Sequence, residues 1–167
     1  KKILKVQKAV KNNNAYKDLM YAASLCNDAS LSSASPEEII GDPTEGALIP
    51  LAQDFGYSVS SLRKEYPRLG EYPFDSIRKR MSTIHEINNE YVAYIKGALD
   101  ELLPLCDSIA TSNGVQKLTK TDKENILALS HKMSEQALRV LGSASRTILN
   151  LPQENENIEQ HLVFLGA

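Results

Sequence analysis

The chain has 167 residues, 42% of them hydrophobic and 24% charged, with a formal net charge of -2. That length and balance describe one globular domain able to build its own core, and they exclude a disordered segment. The charge balance argues against a nucleic-acid partner, because duplex binders carry a marked basic excess. No apolar run approaches the ~20 residues of a membrane helix, so no direct membrane contact is expected.

From Lys1 to Asn14 the sequence reads as a polar lead-in without a signal-peptide pattern. Leu19, Met20, Ala23 and Cys26 recur at helical spacing and predict a helix over Ala15 to Asn27. Asp28 to Ile40 is Ser-rich and reads as a loop. Asp42 is a good N-cap, Pro43 suits the first helical position and Glu45 completes a capping-box pattern. The helix they open carries Ala47, Leu48, Leu51, Ala52 and Phe55 as its apolar stripe and ends at Gly56. A short helix over Ser60 to Glu65 is stopped by Pro67.

The pattern then turns β-rich. Leu69 to Phe74 reads as a strand, and Met81 to Ile87 and Glu90 to Lys96 flank Asn88-Asn89 as a tight hairpin, since asparagine tolerates positive φ. Ala98 to Cys106 looks helical, with Pro104 as a kink or end, and Asn113-Gly114 marks a turn. Thr121 to Gln136 predicts a helix with Ile126, Leu129 and Met133 on one face. Leu138 to Leu149 reads as a strand entering a loop, and His161 to Gly166 as a last short strand. Blocks of helices and antiparallel strands, without regular βαβ units, predict an α+β fold with helices packed on an antiparallel sheet.

Recognised chemical signatures are scarce. There is no GxxxxGK[ST], GxGxxG or GxSxG, and no carboxylate pair stands out for acid–base work, so no catalytic residue is nominated. Cys26 and Cys106 have no zinc spacing and read as reduced, buried thiols. His85, His131 and His161 are scattered, and no metal site is expected. The hairpin gives one geometric inference. A two-residue turn sets Ile87 opposite Glu90 and Met81 opposite Lys96, on one sheet face. From the residues alone, Lys96 then reads as a surface lysine covering Met81 with its stem.

Four ordered segments change that reading: LCND (Leu25 to Asp28), GDPTEGAL (Gly41 to Leu48), PFDSIRKRMS (Pro73 to Ser82) and KGA (Lys96 to Ala98), with a weaker fifth, LRVL (Leu138 to Leu141). In order and spacing the set resembles the nucleotide-binding domain of type II P-type cation-transporting ATPases, above all bacterial calcium-pump-like members. The His-Pro pair of the heavy-metal branch is absent. The resemblance implies an antiparallel sheet with flanking helices, held on the cytoplasmic face of a membrane, that binds ATP (Mg-ATP in the full-length pump). Its partners would be the phosphorylation and actuator domains of the same parent chain.

Carried residue by residue, the resemblance gives Phe74 as the ring that stacks on adenine, with a core residue at a strand end as its alternative. Lys96, followed by Gly97, matches the pocket lysine, Met81 a pocket wall, and Lys79 a basic residue at the pocket mouth. Glu45 matches an acceptor for the adenine amine, where the residues alone give only a capping box. Arg139 matches an arginine near the phosphates and Leu141 a neighbour of the ribose. Ile77 replaces a common acidic residue, Ser76 stands where some members have arginine, and GSASR after Leu141 is smaller than usual. The phosphorylated aspartate of the family lies in a DKTGT motif that this sequence lacks. The implied organisation is one nucleotide-binding domain over 1–167, with 1–14 and 150–167 leading towards the phosphorylation domain. A protein-interaction module without nucleotide is the competing reading. A complete small ATPase fails for want of a nucleophile or phosphate loop.

Overall fold

A computed structural model describes residues 14–32, 38–153 and 156–167; the lead-in predicted over Lys1 to Asn14 lies, but for Asn14, outside them. The elements in order are α1 (Asn14–Leu25), β1 (Ser30–Leu31), β2 (Ile39–Ile40), α2 (Pro43–Gly46), α3 (Leu48–Asp54), α4 (Val59–Glu65), β3 (Gly70–Asp75), β4 (Arg80–Ile87), β5 (Glu90–Gly97) and α5 (Leu99–Leu102). After a 3₁₀ turn over Leu103–Leu105 come β6 (Cys106–Thr111), β7 (Gly114–Lys117), α6 (Lys120–Ser134), β8 (Gly142–Ile148) and β9 (Leu162–Gly166).

The predicted hairpin forms the second and third strands of the sheet. Asn88 and Asn89 take φ of 54° and 65°, the left-handed pair that matches strand twist. The turn pairs Ile87 with Glu90 and Met81 with Lys96, in the register read from sequence. Around it the seven-stranded sheet runs β3-β4-β5-β8-β9-β6-β7. All pairings are antiparallel except β6 with β9, which is parallel.

Pleating divides the sheet into two covered faces. Ile84, Ala93, Ile95 and Ala144 face α5, Leu118 and the inner side of α6. Met81, Ile87 and Tyr94 face α1 and α4 through Tyr21, Leu25, Cys26 and Leu62. A satellite core of Met20, Ile49, Ala52 and Val59 holds α3 to α1. The fold class is therefore α+β, as expected, with helices on both faces of a largely antiparallel sheet.

Several local expectations are corrected. The helix after Asp42 is broken at Ala47, because Pro50 cannot donate and would crowd the Gly46 carbonyl in a continuous helix; restarting at Leu48 puts Pro50 in a first turn. Its inward residues are Gly46, Ile49 and Ala52, while Ala47 and Leu51 of the expected stripe are exposed. The Ser-rich loop contains the β1–β2 pair, and its residues 33–37 lie outside the described set. The helix predicted to Cys106 stops at Leu102, where Pro104 enforces the 3₁₀ turn, and Cys106 opens a strand. Around the Asn113-Gly114 turn stands a hairpin, β6–β7, absent from the sequence reading. On α6 Ile126 packs on the core as expected, but Leu129 and Met133 are exposed and Leu127 takes their place. Leu138 to Leu141 precede β8 rather than belonging to it.

Candidate functional site

The candidate side chains gather at one end of β3, β4, β5 and β8. Register rows run Asp75–Arg80–Gly97–Gly142 and, one step in, Met81–Lys96–Ser143. On β3 the pairing jumps from Tyr72–Ser82 to Asp75–Arg80, so Pro73 and Phe74 together oppose the single Met81. This is a β-bulge, a device that re-aims a side chain at a sheet end. Phe74 emerges from it 61% exposed, with no ring partner among the described residues. The alternative of a core phenylalanine is thereby set aside.

The connection after Phe74 is held by Asp75, whose Oδ1 accepts from the N–H of Ile77 (2.9 Å) and Arg78 (2.7 Å). Lys79 ends the turn at a φ of 51°. Gly97 has no room for a side chain: a Cβ there would lie 2.5 Å from both the Lys79 carbonyl oxygen and Arg80 Cβ. The glycine lets β5 close on the turn, and the Ala98 N–H donates to that same carbonyl at 3.0 Å.

Lys96 is not the surface lysine its sequence neighbours suggest. Its side chain is 3% exposed, and its ammonium donates to Glu45 Oε1 at 2.7 Å. A buried charge of this kind needs a partner, and Glu45 on α2 supplies it. Asp42 caps α2 by accepting from the N–H of Thr44 and Glu45, but Glu45 does not close the capping box. Its second oxygen accepts from the Asp28 N–H at 2.9 Å, and its own carbonyl accepts from Asn27 Nδ2 at 3.0 Å. Asn27 and Asp28 are in turn held by arginines that tie down the end of α1. Arg63 donates to Ser24 O (3.1 Å) and Asn27 O (2.6 Å), and Arg68 pairs with Asp28 Oδ1 at 2.9 Å.

Of the remaining candidates, Met81 and Arg139 lie by this pair. Met81 is buried in the row of Lys96, and Cys26 Sγ lies 3.7 Å from its carbonyl. Burial pushes the Cys26 thiol up to about 11 and the Cys106 thiol up to about 12, so both stay protonated. Arg139 reaches Thr44 Oγ1 beside Glu45 at 3.4 Å, a long and therefore weak contact. Leu141, half-buried, directly precedes the Gly142–Gly97 row. Lys79 is not drawn to the pair. Its ammonium lies 3.2 Å from Glu101 and 3.6 Å from Asp100 on α5, and the Glu101 hydrogen bond, followed by the charge of Asp100, raises its pKa.

Among the described residues, neither of two clefts takes in the set as a whole. A cleft of about 460 Å³ opens between α5 and α6 and takes in only Arg139 of the candidates. Another of about 250 Å³ lies behind Asp28, among Asn27, Arg63, Arg68 and His85. The exposed Phe74 ring at the sheet end offers a face for stacking without a closed pocket. The bracing roles of Asn27, Asp28 and Thr44 were not assigned from sequence; the LCND and GDPTEGAL segments were the available signal.

Fold and site together define an α+β domain that presents an exposed aromatic ring and a buried lysine–glutamate pair at one end of its sheet. The chain belongs to the family of the P-type ATPase cytoplasmic domain N, which it matches over residues 15–167. It is 39% identical over 155 residues, 93% of its length, to "Calcium-transporting ATPase 1" of Bacillus cereus. It is 40% identical over 155 residues, 89% of its length, to the protein of the same name from Lactococcus lactis, and 34% identical over 145 residues, 85% of its length, to "Cation-transporting ATPase pma1" of Synechocystis. The chain spans only 16–17% of the length of these relatives. Among the described residues no helix is long and apolar enough to cross a membrane.

Proposed function

We propose that this domain holds ATP for phosphoryl transfer to an aspartate in a separate domain of a cation pump, with calcium the transported ion implied by the relatives. The observation that carries the reading is the bulge-borne Phe74 ring, opposed in register to the Met81–Lys96 row whose ammonium meets Glu45. Adenine stacks on Phe74, which is worth ~1–3 kcal/mol. Glu45, with one donor on each oxygen, accepts from the adenine amine, and Lys96 lines the base pocket with Met81. Arg139 turns from its weak Thr44 contact to the phosphates, and Leu141 borders the ribose. Lys79, with Gly97 closing the strand behind it, stands at the mouth. Magnesium enters on the phosphates of the nucleotide. Residues 1–14 and 150–167 lead to the phosphorylation domain, and that domain and the actuator are the partners within the parent chain.

Stacking and a few hydrogen bonds support a Kd of roughly 0.1 mM to several mM, about 3–5.5 kcal/mol. AMP and ADP bind within about tenfold of ATP, because the base dominates. A two-dimensional NMR titration with ATP moves amides clustered at Glu45, Phe74, Met81 and Lys96. A flat response up to ~10 mM, weaker than ~3 kcal/mol of binding, contradicts the reading and favours a protein-interaction module. Purified chain incubated with labelled ATP gains no acid-stable phosphate, since the motif that carries the aspartyl nucleophile is absent from the sequence.

A further inference from the structure

A second charged cluster lies on the other side of β4 from Lys96. Glu159, in the segment before β9, has a side chain 6% exposed and accepts three side-chain donors. Its Oε1 receives Arg78 Nη1 (2.5 Å) and Ser82 Oγ (2.6 Å), and its Oε2 receives Arg80 Nε (2.7 Å). Arg78 does more than neutralise this carboxylate. Its other terminal nitrogen donates to the carbonyl oxygen of Pro73 at 2.9 Å. Pro73 is the bulge residue immediately before Phe74. Arg80 adds a bond from Nη1 to the Arg78 carbonyl at 3.0 Å, locking the two arginines together.

The segment that carries Glu159 is itself stitched to the sheet. Tyr72 Oη donates to Glu156 O at 3.0 Å, and Arg146 Nη1 lies 3.1 Å from Gln160 O. Ile158 is buried in the core under the sheet. The path from Glu159 to Phe74 is therefore continuous, through one planar guanidinium that only arginine can supply: a fork with a carboxylate on one tine and a backbone carbonyl on the other.

We infer that Glu159 is a positioning residue for the nucleotide: through Arg78 and the Pro73 carbonyl it fixes the bulge that aims the Phe74 ring. The inference rests on the nucleotide reading of Phe74 and adds to it a remote determinant of affinity in the segment that leads out of the domain. A stacking ring gains its full contact only if its backbone is held before the ligand arrives.

The test uses the 167-residue chain, ATP and adenosine. Arg78→Ala cuts the link and leaves Glu159 with Arg80 and Ser82, so the domain stays folded. Adenosine and ATP then both bind about three- to tenfold more weakly, by the same factor, the size expected for coupled neighbours. In a Phe74→Ala background the Arg78→Ala change weakens ATP no further. Glu159→Gln reproduces the adenosine loss; if it melts too low to titrate, Arg78→Ala alone decides. Loss for ATP with adenosine unchanged would make Arg78 a cation for the phosphates and overturn the inference. Full additivity with Phe74→Ala would overturn it too. Absence of ATP binding by the wild type would defeat the nucleotide reading itself, a failure distinguishable from either.

Discussion

Glu45 and Glu159 flank the same stretch of β4 from opposite faces, yet they are built differently. Glu159 is 6% exposed and takes three side-chain donors, two of them guanidinium groups. Glu45 is 17% exposed and takes one ammonium and one backbone N–H. Around Glu159 stand Arg78, Arg80 and Ser82; the Lys96 partner of Glu45 pairs with Met81, which the bulge carrying the exposed Phe74 ring opposes. A carboxylate saturated by its own chain stabilises the fold. On the proposed function, the lone pairs that Glu45 has to spare accept from the adenine amine. The difference is then that between a carboxylate that holds the bulge in place and one that meets the ligand.

The comparison breaks if Glu159 proves dispensable. Glu159→Ala strands two arginines, and removing one partner of a buried pair costs ~3–5 kcal/mol. Both arginines reach water, so about 3 kcal/mol applies, a fall of roughly 6–12 °C in melting temperature for a chain of this size. An unchanged melt would show the network to be ornamental.

Lys96→Gln sharpens the comparison from the other side. It removes the charge from the Glu45 pair but leaves an amide that can still donate. We expect a loss of about 1 kcal/mol of stability together with weaker ATP binding, read from thermal melts and titrations on one sample. This differs from the plain ligand lysine implied by the family, because burial makes Lys96 part of the structure as well.

Acid should destabilise the fold through His85 and Glu159. For Glu159 burial, the largest influence, raises the pKa, but Arg78, Ser82 and Arg80 together outweigh it and hold the carboxyl below its ordinary 4.5. Its stabilisation is present above the ordinary carboxylate range and is lost as pH falls through the lowered folded value. His85 is lowered from 6.5, chiefly by burial. Its unfolded form therefore takes up a proton first, and stability drops as pH falls below the ordinary histidine range. Melting temperature should decline in two stages, with His85→Gln abolishing the upper one. The smallest effect is expected at Lys79, whose ion pairs with Asp100 and Glu101 lie at the surface. Lys79→Ala should leave the melt unchanged and weaken ATP more at low salt than at high salt.

What was legible beforehand follows from distance along the chain. The Asn88-Asn89 hairpin and its register were readable because turn chemistry is local, and that register placed Met81 beside Lys96. The β6–β7 hairpin was not, because β6 is half-exposed, lacks clean alternation and pairs in parallel with β9, more than fifty residues away. On α6 the sequence placed Ile126 correctly but not Leu129 and Met133, because they fit a helical stripe with Ile126 as well as Leu127 packs beside it, and only packing chooses between them. At the site, family resemblance nominated residues, but it could not show that Phe74 is exposed or that Glu45 serves Lys96 and Asp28 rather than a capping box. Glu159, 77–81 residues from its partners, had no local signal at all.

The central claim, that adenine stacks on an exposed Phe74, is tested most directly by titrating ATP into wild type, Phe74→Ala and Phe74→Trp while recording the melt of each. The account predicts that Phe74→Ala loses roughly 1–3 kcal/mol of binding, about five- to 150-fold, and that Phe74→Trp keeps most of it. Because the ring is 61% exposed, all three proteins should melt within about 0.5 kcal/mol of one another. Wild-type ATP affinity in a folded Phe74→Ala variant would contradict the stacking assignment, as would a collapse of its melting temperature.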